Sequence, residues 1–551
     1  MSLAEAIVSL QNATVRHAGL TIPQKISLCQ QCIATVGEVA EAWIAAGSRG
    51  KECPDQPDVL AEEMLTGPVI ITRMLQLVIK TLEQVARDGR PRIAGNFSRT
   101  SQQQTVVPIF PTPYLWDRLA FIGLSAEAIM QPKVEPTDIH GKWLGKVSDT
   151  NVRSITAVLG AGNVSAVSAT DSLHRILLES QQVILKMNPV NDYLRPIFQK
   201  AFGPLIEAGL LRIIGGGAEI GMQLVQHPDV AEVHITGSTQ THDRIVWGDQ
   251  AAEQETRKRA NTPLIHKPLT SELGNVSPWI VVPGVYSNRQ LRSQAEHVAA
   301  SITNNAAFNC LATRVVVTCS QWKQRTEFLQ LVDQVLNQTP LRPAYYPGAA
   351  DRFRKHSGQN IQPDKTNCLP WLFLKDQKDK ENLSFYTEES FVGFCAETAI
   401  EASSTAEFLQ SAIQFCNKQL SGTLCASITF PNDFRRREKK KVEEAINKLR
   451  YSSICVNQWS GLAYSLLTPP WGGYPGATLQ NIESGIGSVH NTLLLDRYEK
   501  SVLWGPLVSF PKPVWFATNK KSLHIARHLL SLYQRPNALR FGKLLATALT
   551  A

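Results

Sequence analysis

The chain has 551 residues, 43% of them hydrophobic and 19% charged, enough to bury a large core and to form two or three domains. Glycine and proline are ordinary in number, 34 and 31, which excludes a collagen-like or broadly disordered chain. Of the net charge of +9, residues 501–551 supply +7 through seven Lys or Arg and no acid, so residues 1–500 are nearly neutral and offer no general basic surface for nucleic acid.

No apolar run reaches the roughly 18 residues expected of a membrane span, and the start lacks the basic leader of a secretory signal. The expectation is a soluble, cytoplasmic protein. Ten cysteines scattered from Cys29 to Cys455 do not form a disulfide framework. Cys29-Gln-Gln-Cys32 is the one CxxC, but no second ligand pair stands at zinc spacing. The stretch Ile26 to Val36 reads as helix rather than the strand-to-helix turn of a redox pair, so two core cysteines and no metal are expected.

Residues 1–90 read mainly as helices, with helical apolar spacing through Ile71, Met74, Leu75, Leu77 and Val78. The Pro-broken, β-prone stretch 105–115 reads as a connector or edge strand. From 155 the pattern alternates. Strands are expected at Ile155–Leu159, Val183–Leu185, Leu211–Ile214 and Val230–Ile235, and helices at 170–180, 193–207, 218–226 and 240–247. Such alternation predicts a parallel sheet covered on both faces. A second α/β region runs from about 272 to 460, with strands near 278–282, 314–318 and 424–430. Arg435–Lys441, RRREKKK, followed by Val442, Ile446 and Leu449, reads as the solvated face of a helix.

Several short motifs bear on chemistry. Gly160-Ala-Gly162 and Gly215-Gly216-Gly217 each follow a strand, but neither completes G-x-G-x-x-G with a suitably placed acid. In His234-Ile-Thr-Gly-Ser-Thr239 a strand ends in the Gly237-Ser238 turn and a helix begins, which gives either an N-cap or an anion site. Lys186 closes an adjacent strand at its carboxyl end, where α/β sheets bind ligands, and the pair suggests a nucleotide. Glu272 opens the second region. Cys310 lies at a helix-to-strand passage before Thr313–Val317, as packing or as a reachable thiolate.

These motifs fall in an order that resembles the aldehyde dehydrogenase superfamily over roughly residues 130–495. The landmarks are LGAGNVSA around Asn163, VILKMNP at Lys186, GGGAEIG at 215–221 and HITGST at Ser238. ELGNVSP at Glu272, NAAFNC at Cys310, EESF at Glu389–Phe391 and PPWGGYPG at 469–476 complete the series. The resemblance implies an α/β, aldehyde dehydrogenase-like fold. It would comprise a Rossmann-like cofactor domain (1–271), a catalytic domain (272–460) and a return segment (461–500). Residues 105–135 and 475–498 would build a small oligomerisation element of a homo-oligomer, and 501–551 is a basic extension.

The implied activity is NAD(P)-dependent oxidation of a small-molecule aldehyde to its carboxylic acid. Cys310 would be the nucleophile, Asn163 with the Cys310 backbone N–H the oxyanion donors, and Glu272 the base that activates water. Lys186, Gly237 and Ser238 would hold the adenosine ribose and phosphates of NAD or NADP. Glu389 and Phe391 would place the nicotinamide ribose. This chain departs from the family pattern at four places. Asn163 sits in GAGNV rather than a Pro-Trp-Asn-Phe type loop, and Pro189 replaces the ribose carboxylate three residues after the lysine. His242 replaces the last glycine of GSTxxG, and Phe308-Asn309 replace Gly-Gln before the cysteine. The NNAAFNC context also resembles members that transfer the acyl group to coenzyme A, although Glu272 favours hydrolysis. A retired member kept for binding or assembly is a third reading.

The extension carries Leu523, Ala526, Leu530, Leu532 and Tyr533 at partly helical spacing among Lys520, Lys521, Arg527, Arg535, Arg540 and Lys543. A basic amphipathic segment can lie on an anionic membrane. Pro536 and the modest apolar face favour packing on the body or on a second subunit instead.

Overall fold

The computed structural model describes residues 1–16, 20–151, 154–377 and 383–551. Its strands are β1 (Ser98–Arg99), β2 (Thr105–Phe110), β3 (Ser125–Met130), β4 (Ile155–Leu159), β5 (Gln182–Lys186), β6 (Leu211–Ile214), β7 (Val230–Gly237) and β8 (Leu269–Leu273). The second half adds β9 (Ser277–Val281), β10 (Thr313–Cys319), β11 (Leu372–Gln377), β12 (Phe394–Ile400), β13 (Cys425–Thr429), β14 (Ser453–Val456) and β15 (Tyr498–Trp504).

Continuous apolar strands need cover on both faces, and β4 and β5 are buried at every position. They sit at the centre of a five-stranded parallel sheet in the order β6-β5-β4-β7-β8. The chain leaves β4 towards β5 on one side and returns to β7 on the other, so the strand order reverses between β4 and β7. That switch point opens a crevice at the carboxyl ends of the strands. The predicted helix 193–207 is broken into a 3-10 turn, Pro189–Leu194, and helices Arg195–Ala201 and Gly203–Glu207. Pro204, which has no N–H to continue the ladder, opens the last of them.

The second sheet has ten strands in the order β1-β2-β3-β15-β14-β13-β9-β10-β12-β11. From β15 to β11 neighbours run parallel, and β15, β3, β2 and β1 are antiparallel. The 1–271 boundary therefore divides differently in space. Strands β1 to β3 leave the five-stranded sheet and join the larger one through β15, and β2 is flanked on both sides rather than at an edge. The segment 475–498 forms no strand before Tyr498, and the extension from 501 begins inside β15.

Residues 57–88 correct the expectation that no apolar run is long enough to span a bilayer. This helical run passes by length and composition, but 78% of its most apolar window is buried within the fold, as in a core helix. Cys29 and Cys32 lie fully buried on the helix Ile22–Gly50, where burial pushes both thiols up. The basic block is split at Glu438 between helices Asn432–Arg437 and Lys439–Lys448, the latter burying Val442, Ala445 and Ile446.

The C-terminal extension packs on the body. Its helix Ser522–Gln534 lies against Pro57–Met64, Leu65–Val69 and Ile70–Asp88. Residues 535–537, including Pro536, separate it from the helix Ala538–Leu549, which covers the first and buries Leu544.

Candidate active site

Five candidate residues, Asn163, Lys186, Gly237, Ser238 and Glu272, gather at the carboxyl edge of the five-stranded sheet because their strands are neighbours. Leu159, which precedes the Gly160–Asn163 loop, is in register with Lys186 on one side and Ile235 on the other. Thr236 is in register with Glu272, and Gly237 with Leu273. The Lys186 amine is buried, and burial lowers its pKa against the opposing charge of Asp192. Gly237 and Ser238 are exposed, and no atom within 4 Å would meet a Cβ at Gly237, so the turn is open. Ser238 Oγ accepts from Thr241 N–H at 3.1 Å and caps the helix Thr239–Trp247. His242 is fully buried and bonds Asp243 Oδ1 at 3.1 Å, so its ring lies inside the fold and not in the exposed turn.

Glu272 and Cys310 meet although 38 residues separate them, Sγ lying 3.4 Å from Oε1. Burial first, and then the charge of Asp171, push Glu272 up to about 8. Cys310 is half-buried, whereas the other nine cysteines are buried. Its thiol is pushed well above the ordinary range by burial and by the neighbouring carboxylates Glu272 and Glu389. The Asn163 side-chain amide donates to Phe308 O at 3.1 Å, leaving its second N–H uncommitted among the described residues. Among the described residues the Cys310 backbone N–H makes no hydrogen bond. Asn163, Glu272 and Cys310 all line one cavity of about 480 Å³.

Glu389 closes over Gly274, where any Cβ would lie 2.2 Å from Oε2, and its Oε1 is buried with no partner among the described residues. Burial pushes it up to about 7 against the pull of Arg314 and Arg352. Phe391 has a left-handed backbone, φ 46°, and its ring packs against Tyr346 and Phe308 at 5.1 and 5.8 Å. These two residues thus border the cysteine loop, Phe391 against the Phe308 ring and Glu389 in the field of Cys310.

Several residues join the site that the sequence reading does not contain. Asn305 Nδ2 donates to Asn163 O at 2.9 Å and to Phe308 O at 2.8 Å, while its Oδ1 accepts from Tyr345 at 3.1 Å and from Lys51. Lys51 is also ion-paired to the buried Glu63. Buried Arg314 donates to Val392 O, Ala307 O and Asn309 O, tying the cysteine loop to the segment after Phe391. Asp192 lies beside Gly215 at the end of β6, with Oδ2 on Arg195 and Oδ1 buried without a partner among the described residues. The Asn-Asn doublet at 304–305 was a visible turn signal; Lys51 and Asp192 carried none.

Residues 155–349 match the family model described as the aldehyde dehydrogenase family. Human 4-trimethylaminobutyraldehyde dehydrogenase is 28% identical over 145 residues, covering 25% of this chain and 26% of that protein. Betaine aldehyde dehydrogenase 1 of Rhizobium meliloti is 30% identical over 167 residues, 28% of this chain and 31% of its own length. The matches thus span about a third or less of these relatives. An indole-3-acetaldehyde dehydrogenase solved with NAD+ superposes with a TM-score of 0.59 at 17% identity, covering 90% of this chain and 88% of that one. The betaine aldehyde dehydrogenase of Staphylococcus aureus with NAD+ gives 0.59 at 15% identity, over 91% and 86%.

The chain as a whole has the aldehyde dehydrogenase fold. Residues 155–349 are similar in sequence to the aldehyde dehydrogenase family, within a chain that shares the fold of its solved members.

Proposed function

We propose that the protein oxidises an aldehyde to its carboxylic acid with NAD or NADP as hydride acceptor. The observation that carries this reading is the Cys310–Glu272 pair, 3.4 Å apart in one cavity with Asn163. The residues at the strand ends suit the nucleotide. An open Gly237-Ser238 turn heads a helix for the phosphates, the Lys186 amine reaches a ribose, and the unpartnered Glu389 Oε1 offers an acceptor to the second ribose. The carboxylate that Pro189 does not supply is offered by Asp192 beside Lys186, which favours NAD through a ribose 2′-hydroxyl.

Cys310 Sγ attacks the aldehyde carbon, and Glu272 Oε1 takes the thiol proton, so the nucleophile is generated only as it is used. The free N–H of the Asn163 amide and the Cys310 N–H receive the developing oxyanion. The nicotinamide, when bound, supplies the acceptor for the hydride that leaves this carbon. Collapse leaves an acyl thioester on Cys310. Glu272, its proton lost to solvent, then activates a water that cleaves the thioester, releasing the acid and restoring the thiol.

The test is NAD(P)H formation with a panel of aldehydes, with and without coenzyme A. Steady turnover without coenzyme A is expected, and Cys310→Ala should abolish it while nucleotide binding persists. Substantial turnover by Cys310→Ala would end the covalent mechanism, and turnover only with coenzyme A would make the enzyme acylating.

A further inference from the structure

The cavity over Cys310 is larger than the reaction centre needs, and its outer wall is not made by the family-matched residues. Val514, Trp515, Phe516, Leu529 and Tyr533 of the C-terminal extension line it, with Lys520 and small polar residues between them. Although the extension is strongly basic, the side chains it offers the cavity are chiefly apolar and aromatic.

The wall is fixed at both ends. Tyr533 accepts from Arg73 Nη1 at 3.1 Å through its hydroxyl, and its carbonyl accepts from Gln76 at 3.0 Å. Phe516 stands edge-on to the buried His297 at 4.7 Å. Trp515 lies 6.5 Å from Trp459, whose indole N–H donates to Leu311 O, beside the nucleophile, at 2.8 Å. The Trp515 indole N–H is itself buried with no partner among the described residues.

Two of the cavity's cations are held in ion pairs. Arg73 is paired with Asp117 at 2.7 Å and Arg342 with Asp58 at 2.9 Å, while Glu62 accepts from Asn304 and Asn305 and lies in the field of Lys51 and Arg342. A space of about 480 Å³ with aromatic walls suits a bulky occupant.

Resting on the aldehyde-oxidation reading, we infer that the C-terminal extension is a specificity wall and that the substrate is an aldehyde with a bulky aromatic or long apolar body. A two- or three-carbon aldehyde would leave most of the cavity unfilled.

The experiment compares 2-naphthaldehyde and decanal with propanal in the full chain and in two variants. Leu529→Trp fills the cavity, and Trp515→Ala removes its aromatic wall. The wild type should favour the bulky aldehydes by at least about tenfold in kcat/KM. Both variants should reduce the naphthaldehyde-to-propanal ratio about tenfold, mainly through KM. A wild-type preference for propanal, or an unchanged ratio in a folded variant, overturns the inference.

The cavity can be tested apart from catalysis with 2-acetonaphthone, a ketone that cannot be oxidised by hydride loss, followed by tryptophan quenching. Binding that weakens about tenfold in Leu529→Trp, in a wild type that oxidises no aldehyde, would retain the wall and discard the activity. No binding by the wild type would discard the wall.

Discussion

Cys310 sits where ionisation is disfavoured, since burial and two neighbouring carboxylates all hold its proton on. Attack therefore needs a base that takes the proton, and Glu272 is the group within reach. A base works only when ionised, and Glu272 is pushed up to about 8 by burial and by Asp171. Turnover should rise roughly tenfold per pH unit below that value and level off above it, and Glu272→Gln should lose this limb with about 100-fold or more of the rate. A wild-type profile already flat between pH 6 and 9 would remove Glu272 from the role. The same shift has a thermodynamic consequence. A carboxyl whose pKa is raised by folding contributes stability that is fully present below the ordinary carboxylate range and is lost as pH rises through about 8. The melting temperature of Glu272→Gln should therefore gain on the wild type from pH 6 to pH 9, and a constant gap would mean that the carboxyl ionises as it does in water.

One element up, the cysteine is delivered by an unusual turn. Asn305, Ala306 and Ala307 have φ of 55°, 54° and 67°, a left-handed stretch that costs alanine about 1–2 kcal/mol per residue. Asn305 holds it, bonding the Asn163 carbonyl on one side and the Phe308 carbonyl on the other. Asn305→Gly keeps the backbone freedom and deletes those bonds. It should lower kcat about 10- to 100-fold while nucleotide affinity stays within about twofold, because Lys186 ends β5 and Ser238 caps the helix after β7. A kcat within twofold of wild type would show that the turn holds its shape unaided. This turn also marks where sequence reasoning stops. Strands such as Ile155–Leu159 and Leu211–Ile214 were legible to the residue because a buried parallel strand is a local apolar run. The order of the motifs pointed to Cys310 and Glu272 together. Nothing in Ala306-Ala307 announces a left-handed backbone, since alanine disfavours it, and only the contacts around Asn305 explain it.

Contacts between distant parts of the chain were the least legible, and at the scale of the whole molecule they join the extension to the site. Its positive charge does little of this work. Arg527 pairs with Glu41, but both are exposed, and such pairs contribute about 0–1 kcal/mol. The stronger tie is buried and lies 460 residues apart in sequence. Arg73 donates to Asp117, to the Tyr533 hydroxyl and, through Nε, to Leu466 O at 3.0 Å, so one guanidinium fastens the core helix, the segment before β3, the end of the helix Gly461–Leu466 and the extension. Removing the carboxylate strands a buried cation, whereas removing the phenol oxygen deletes one bond to it. Asp117→Ala should therefore cost about 3–5 kcal/mol, and Tyr533→Phe about 1.5–3 kcal/mol. The double variant should fall short of the sum, because both losses act on the same guanidinium. Unfolding followed by tryptophan fluorescence in urea measures all three. Equal and small losses would mean that water reaches Arg73 and that the extension is held by its apolar face alone. In that case Tyr533→Phe would leave unfolding nearly unchanged, and Leu530→Ala, which opens the buried face of the same helix, would produce the larger loss.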